Sequence, residues 1–219
     1  MPSPFDQSTY QVRLDWGTAG LARLAPADVV VIVDVLRFSS TIIDATAAGS
    51  RVVAAETESW SRNGGAVAAA APSDAIVLVG GLRNASAVAR AVQTIQERRQ
   101  ERTSVAVIAA GEVDDAGALR FAVEDQLGAG AIVLALSDRG IDHTAPDAAV
   151  AAEGFRALRG ALRHMIGASG SGRELASGVP ATARIEAVGL VPTTVTDAAA
   201  LDAVDVVPVL HDGAYVRFE

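Results

Sequence analysis

The chain has 219 residues, half of them apolar, a net charge of -8 and no cysteine. It is long enough to bury a full core as one α/β domain, and it excludes disulfides, thiolate catalysis and cysteine-ligated zinc, leaving a hard cation on oxygen or imidazole ligands as the expected metal. All 18 basic residues are Arg, the densest cluster being Arg98, Arg99 and Arg102, which argues against nucleic acid as a partner; the N-terminus lacks the basic start and apolar stretch of a signal peptide and no apolar run approaches the roughly 18 residues of a membrane span, so a soluble cytoplasmic protein is expected.

Tyr10 to Trp16 alternates apolar and polar residues, as an exposed or edge strand does, and Leu21 to Ala25 reads as a short helix. Val29 to Val33 is a continuous β-branched run, which predicts a strand covered on both faces in the middle of a sheet. Asp34, Arg37 and the hydroxyls Ser39, Ser40 and Thr41 follow. Ile42, Ile43, Thr46 and Ala47 then recur at helical spacing, with one of the three hydroxyls placed to cap the helix. Arg51 to Glu56 reads as a strand, Gly65 to Ala71 as a helix, Ala75 to Gly80 as a second apolar strand, Ala85 to Arg99 as a helix capped by Asn84, and Ser104 to Ala110 as a third buried strand. Leu119 to Leu136 predicts a long apolar helix with Gly128 and Gly130 inside it, Ser137 to Pro146 a loop, and Asp147 to Ile166 an amphipathic helix. Gly167 to Gly172 reads as a turn into a further helix near Arg173. Asp205 to Leu210, a His-Asp-Gly turn and Ala214 to Phe218 predict a closing β-hairpin. Strands alternating with helices point to an α/β fold, a three-layer αβα sandwich with a mainly parallel or mixed central sheet, as one domain over residues 1–219.

Asp34 and Arg37 are the foremost candidates for chemistry. A carboxylate at the end of a buried strand needs a metal, a guanidinium or helix N–H groups to offset its desolvation. The plainer reading is an Asp that caps the next helix and pairs with Arg37. Gly111 and Glu112 follow another apolar strand, outside the carboxyl end where open sheets bind ligands; Glu112, Asp114 and Asp115 also fit a solvated loop. Glu124 and Asp125, adjacent in a predicted helix, lie about 100° apart, so one can face a site while the other faces water or Arg120. Asn63 and Asn84 precede helices and can contact phosphate or serve as N-caps. His143, His164 and His211 are isolated and take no catalytic role. Neither G-x-x-x-x-G-K-[ST] nor G-x-G-x-x-G occurs, which weakens a nucleotide-binding reading.

Read in order, V-I-V-D-V-L-R-F-S-S-T, L-R-N-A-S-A-V-A-R-A, A-A-G-E, F-A-V-E-D, G-A-G-A, S-G-R-E-L and D-V-V-P-V-L resemble the 2-phosphosulpholactate phosphatase family, the ComB-like proteins, from Val12 to Leu210. The resemblance implies an Mg²⁺-dependent phosphatase that hydrolyses 2-phosphosulpholactate, or a related small phosphomonoester of an acid with or without a sulphonate, to the hydroxy acid and phosphate. It implies catalytic roles for Asp34, Arg37, Asn63 and Asn84, and substrate contacts from Ser39, Ser40, Thr41, Gly111, Glu112 and Arg173. The metal ligands it implies are Asp34, Glu124 and Asp125. Two departures stand out: only Glu56 to Arg62 connects the predicted strand at Arg51 to the Asn-Gly turn, where family members carry several dozen residues, and that turn ends in Gly65 instead of Thr or Ser. The shortened connection motivates a second expectation, a degenerate relative that binds a small anion or serves as a structural subunit, and an apolar surface left by the missing segment would invite a homodimer.

Overall fold

The protein is described by a computed structural model over residues 3–114 and 116–219, so Asp115 of the acidic run lies outside the described residues. At its centre is β2 (Val29–Val33), with all five side chains buried. The run is apolar throughout because the strand feeds two cores: Val29, Val31 and Val33 face one and Val30 and Ile32 the other, as the twofold alternation of a strand requires. β4 (Ile76–Gly80) and β5 (Val105–Ala109) flank β2 in parallel, and β1 (Val12–Trp16) pairs in parallel with β5. Beyond β4 come β8 (Pro208–His211), β9 (Ala214–Arg217) and β3 (Val52–Val53), all antiparallel to their neighbours, which gives a mixed seven-stranded sheet in the order β1-β5-β2-β4-β8-β9-β3. β8 and β9 form the predicted hairpin through Asp212 and Gly213, both at positive φ (47° and 70°), as a two-residue type I′ turn demands. β1 is the predicted edge strand, but it is shielded: Thr144 bridges Val12, and the Gln7 amide bonds both the N–H and the C=O of Leu14.

Helices cover both faces. α2 (Phe38–Ala47) and α4 (Gly64–Ala70) pack on one core, with α1 (Gly17–Arg23) beside them; α5 (Ala85–Arg99), α6 (Val123–Ser137) and α7 (Pro146–Leu158) pack on the other. The result is the expected αβα sandwich. None of the described helices is long and apolar enough to cross a membrane.

Three expected elements are corrected. The strand at Arg51 to Glu56 shrinks to β3, because β9 offers it only two partners, and the good helix formers that follow make α3 (Ala54–Thr57). The helix expected from Leu119 begins at Val123. Leu119–Arg120 is instead β7, paired with β6 (Glu112–Val113) in a small hairpin whose turn is closed by Asp114 Oδ1, which accepts the Ala116 and Ala118 N–H groups. The helix expected over Asp147 to Ile166 is split into α7, a 3₁₀ turn at Arg159–Ala161 containing Gly160, and α8 (Leu162–Ala168).

Gly128 and Gly130 leave α6 unbroken and bring it close to its neighbours. A Cβ on Gly128 would lie 2.7 Å from Val35 Cγ2, and one on Gly130 would lie 2.1 Å from the backbone oxygen of Ala151 in α7. Gly130→Ala is therefore expected to destabilise the protein by about 1–3 kcal/mol despite the better helix propensity of Ala, because α7 must move. Gly154→Ala, where nothing lies within 4 Å of the added atom, should stabilise by up to about 1 kcal/mol. Urea midpoints of the two variants moving in the same direction would refute this account of the α6–α7 contact.

Candidate active site

Two adjacent strands at the centre of the sheet send the chain to opposite faces, β2 into α2 and β5 through the β6–β7 hairpin into α6. Their carboxyl ends open a crevice of the kind in which open α/β sheets bind ligands. A cleft of about 490 Å³ occupies it. Asp34 and Arg37 from the β2–α2 turn, Asn63 before α4, Gly111 and Glu112 after β5, and Glu124 and Asp125 on α6 all line this one cleft.

The serines after β2 lock the turn that carries Asp34. Ser39 Oγ accepts from the Asp34 N–H at 2.9 Å and donates to Ile32 O at 3.2 Å, while Ser40 Oγ donates to Val35 O at 2.8 Å. Arg37 precedes α2, so Ser39, Ser40 and Thr41 lie within its first turn and none caps it. All three are buried and none lines the cleft. Their expected place on the substrate surface is thus corrected to the interior of the turn.

Asn84 is corrected likewise. It is fully buried; its Oδ1 accepts the Gly81 N–H at 3.1 Å and its Nδ2 donates to Val206 O at 2.9 Å, tying the end of β4 to the segment before β8. It makes no capping bond to α5 and does not line the cleft. Arg173, in α9 (Gly170–Ala176), is exposed and outside the cleft wall, where its neighbour Glu174 stands instead, because successive helical residues diverge by about 100°.

Asp34 lies between two helix N-termini. Its Oδ2 accepts the N–H of Gly64, the first residue of α4, at 3.0 Å, and its Oδ1 faces the N–H of Phe38, the first residue of α2, at 3.4 Å. Position 64 has to be glycine for this approach: a Cβ there would sit 2.6 Å from the Phe38 ring and 2.9 Å from Asp34 Oδ2. Burial pushes the Asp34 carboxyl up to about 6, with the charges of Glu124 and Glu112 adding to it and the two amide bonds opposing.

Asp125 is a staple. Its Oδ1 accepts the Val35 N–H at 2.7 Å and its Oδ2 the Gly111 N–H at 2.9 Å, so one carboxylate joins the ends of β2 and β5 on either side of the crevice. Burial, with the charges of Asp34 and Glu124, holds this carboxyl well above the usual range. Because α6 starts at Val123, Glu124 and Asp125 fall in its first turn instead of mid-helix, and both line the cleft instead of facing opposite ways. Glu124 is only 2 % exposed, and no hydrogen bond from the described residues reaches it.

Arg37 is half-buried. Its Nη1 donates to Thr182 Oγ1 at 2.8 Å, and among the described residues no carboxylate comes within ion-pair distance, so the expected Asp34 partnership is not formed. Burial lowers its pKa; Asp34, Glu174 and Glu186 act in the opposite sense, and the guanidinium stays charged. Glu112 is paired with Arg120, and Asn63 Oδ1 accepts the Val113 N–H at 3.3 Å, tying the end of the short Glu56 to Arg62 connection to β6.

Sequence reasoning missed the wall contributed by α10 (Pro180–Ala187), which supplies Arg184, and in α9 it pointed to Arg173 where Glu174 lines the cleft; Trp60 and Arg62 line it as well. Among the described residues the wall carries six carboxyl groups (Asp34, Glu112, Asp114, Glu124, Asp125 and Glu174) and three guanidiniums (Arg37, Arg62 and Arg184). A bare anion would be repelled by such a wall; an anion accompanied by a divalent cation would not. Among the described residues no group of three or more His, Asp or Glu side chains is arranged as a metal cluster, so the expected set of Asp34, Glu124 and Asp125 is not assembled as a three-ligand cage. Asp125 accepts a short amide bond on each oxygen, at 2.7 and 2.9 Å, whereas Asp34 Oδ1 meets its amide only at 3.4 Å. Asp34 and the unbonded, buried Glu124 suit a cation that takes one or two carboxylates and completes its shell with water and phosphate, the habit of Mg²⁺.

A search of curated proteins gives no match to the chain. The sequence profile of 2-phosphosulpholactate phosphatase matches residues 57–213, a span that includes Asn63, Gly111, Glu112, Glu124 and Asp125 and begins after Asp34 and Arg37. With well over half of its 219 residues matched, the chain belongs to the 2-phosphosulpholactate phosphatase family.

Proposed function

We propose that the protein is an Mg²⁺-dependent phosphomonoesterase acting on 2-phosphosulpholactate or a related small phosphorylated acid. The observation that supports this most is the convergence in one cleft of Asp34, the unbonded Glu124 and Arg37, whose Nε and Nη2 have no acceptor among the described residues. Asp34 and Glu124 would hold the metal, which when bound would neutralise the phosphate and stabilise charge on its transferring oxygens. Arg37 presents its remaining N–H groups to two phosphate oxygens, the bidentate geometry guanidinium favours. The two helix N-termini fix Asp34, and Asp125 fixes the distance between the Asp34 turn and the Gly111–Glu112 turn. Water is the nucleophile: its oxygen bonds to phosphorus and gives up a proton as the ester P–O bond breaks, and the departing alkoxide takes up a proton in turn, so that the products are the alcohol and phosphate. Leu36 stands where a D-x-D aspartyl-phosphate motif needs its second Asp.

A second reading, an anion-binding relative without turnover, is favoured by the absence of a three-ligand metal cluster among the described residues and by the short Glu56 to Arg62 connection. Phosphate release from 2-phosphosulpholactate and a panel of small phosphomonoesters, with and without Mg²⁺, separates the two. Metal-dependent release supports the phosphatase. Folded protein that binds phosphate and releases none from any ester supports the binding protein.

A further inference from the structure

α10 forms part of the cleft roof, yet only Ile185 of its eight residues is buried. Glycines at positive φ stand on either side of it, Gly178 at 81° and Gly189 at 78°. Such a helix is held in place by few apolar contacts, so its polar ties matter. Two cross the cleft: Thr182 Oγ1 accepts from Arg37 Nη1 at 2.8 Å, and Arg184 Nη1 donates to Ser59 O at 3.1 Å, next to the cleft residue Trp60.

Arg37 is otherwise uncommitted. Its Nε and Nη2 make no hydrogen bond with the described residues, and Asp34, Glu174 and Glu186 act on its charge only from beyond ion-pair range. Unanchored, a long guanidinium side chain among three carboxylates would sample several of them, and ordering it would cost about 1–2 kcal/mol of rotamer freedom at the moment of binding. A hydroxyl on Nη1 holds the plane while leaving the Nε–Nη2 edge for an anion.

We infer that Thr182 is a positioning residue for the anion site, orienting Arg37 for a bidentate contact with phosphate and thereby coupling ligand binding to the seating of α10. The inference rests on the anion-site reading given above. By reciprocity, a phosphate that immobilises Arg37 strengthens its bond to Thr182 and holds α10 down.

The test is calorimetric titration of inorganic phosphate, in the presence of Mg²⁺, into the wild type, Thr182→Val and Thr182→Ser, with amide hydrogen exchange of residues 180–187 followed with and without phosphate. Thr182 is half-buried, so Val preserves the shape and removes only the hydroxyl; thermal unfolding checks that each variant folds. Thr182→Val should bind phosphate about three- to tenfold more weakly, the loss of one charge-assisted hydrogen bond. Thr182→Ser should bind within about twofold of wild type. Phosphate should slow exchange in α10 of the wild type and the Ser variant and leave the Val variant unchanged. Equal binding by wild type and Thr182→Val, or α10 exchange indifferent to phosphate in the wild type, overturns the inference alone. A wild type that binds no phosphate overturns the anion-site reading and this inference with it.

Discussion

Asp34→Asn is expected to reduce metal-dependent phosphate release by about 10²- to 10³-fold or more and, in the same protein, to raise the melting temperature of the metal-free form at pH 7.5. Loss of turnover follows from removing the carboxylate that is proposed to hold the metal and that shares the cleft with Arg37 and Glu124. The gain in stability has a separate cause. Burial first, and then the charges of Glu124 and Glu112, hold the Asp34 carboxyl at about 6 against an ordinary 3.8. At pH 7.5 the folded protein therefore bears an ionised group that the unfolded chain carries more easily, a cost on the order of 2–3 kcal/mol. Asn removes the charge and keeps one oxygen for the Gly64 N–H, which is the shorter of the two amide contacts. A net gain of about 1–2 kcal/mol corresponds to roughly 2–8 °C in a chain of this size. Activity lost together with stability would mean that Asp34 is a structural cap, and activity retained would remove it from the chemistry altogether.

This opposition between stability and function is also why the central strand was legible and much of the site was not. Val29 to Val33 could be read as a buried central strand because five consecutive β-branched residues have few other uses, and Asp34 stood out because a carboxylate at such a strand end violates the pattern around it. Glu124 and Asp125 were found, but their geometry was misjudged: Leu119 and Phe121 extend the apolar run backwards, while the local Asp114 turn and the Glu112–Arg120 pair hold Leu119–Arg120 in a hairpin before α6 starts. Ser39, Ser40, Thr41 and Asn84 misled for one reason. Small polar residues at a strand-to-helix junction suit a phosphate cradle and a backbone lock equally well by type, and here their polar atoms are turned to Ile32, Val35, Gly81 and Val206 or left enclosed. The roof of the cleft was invisible, since Thr182 and Arg184 reach Arg37 and Ser59 over more than a hundred residues of chain, and no local period records that approach.

The metal-free protein should be most stable in mildly acidic solution, near about pH 5, and Mg²⁺ should shift that optimum toward neutrality. Asp34 and Asp125 both have folded-state pKa values raised by burial and by neighbouring carboxylates. A raised carboxyl binds its proton more tightly folded than unfolded. The stability it contributes is fully present below the unfolded value near 3.8 and is lost as pH rises through the folded value, about 6 for Asp34 and well above the usual carboxylate range for Asp125. Asp28 behaves in the opposite sense: although burial raises it, bonds from Ser104 and the charge of Arg99 leave its pKa lowered, so its contribution is present above 3.8 and lost as pH falls further. Between these limits lies the expected maximum. A divalent cation seated against Asp34 and Glu124 favours the ionised form of Asp34 and offsets the loss, so Mg²⁺ at about 10 mM should raise the melting temperature at pH 7.5 and leave it nearly unchanged at pH 5. Both the acid optimum and the Mg²⁺ shift should shrink in Asp34→Asn, which ties them to this carboxylate and not to the general acidity of the chain. Melting temperatures of the metal-free wild type that climb steadily from pH 5 to 7.5, or an Mg²⁺ shift that survives intact in Asp34→Asn, would place the cation elsewhere and leave the buried acids of the crevice without the partner proposed for them.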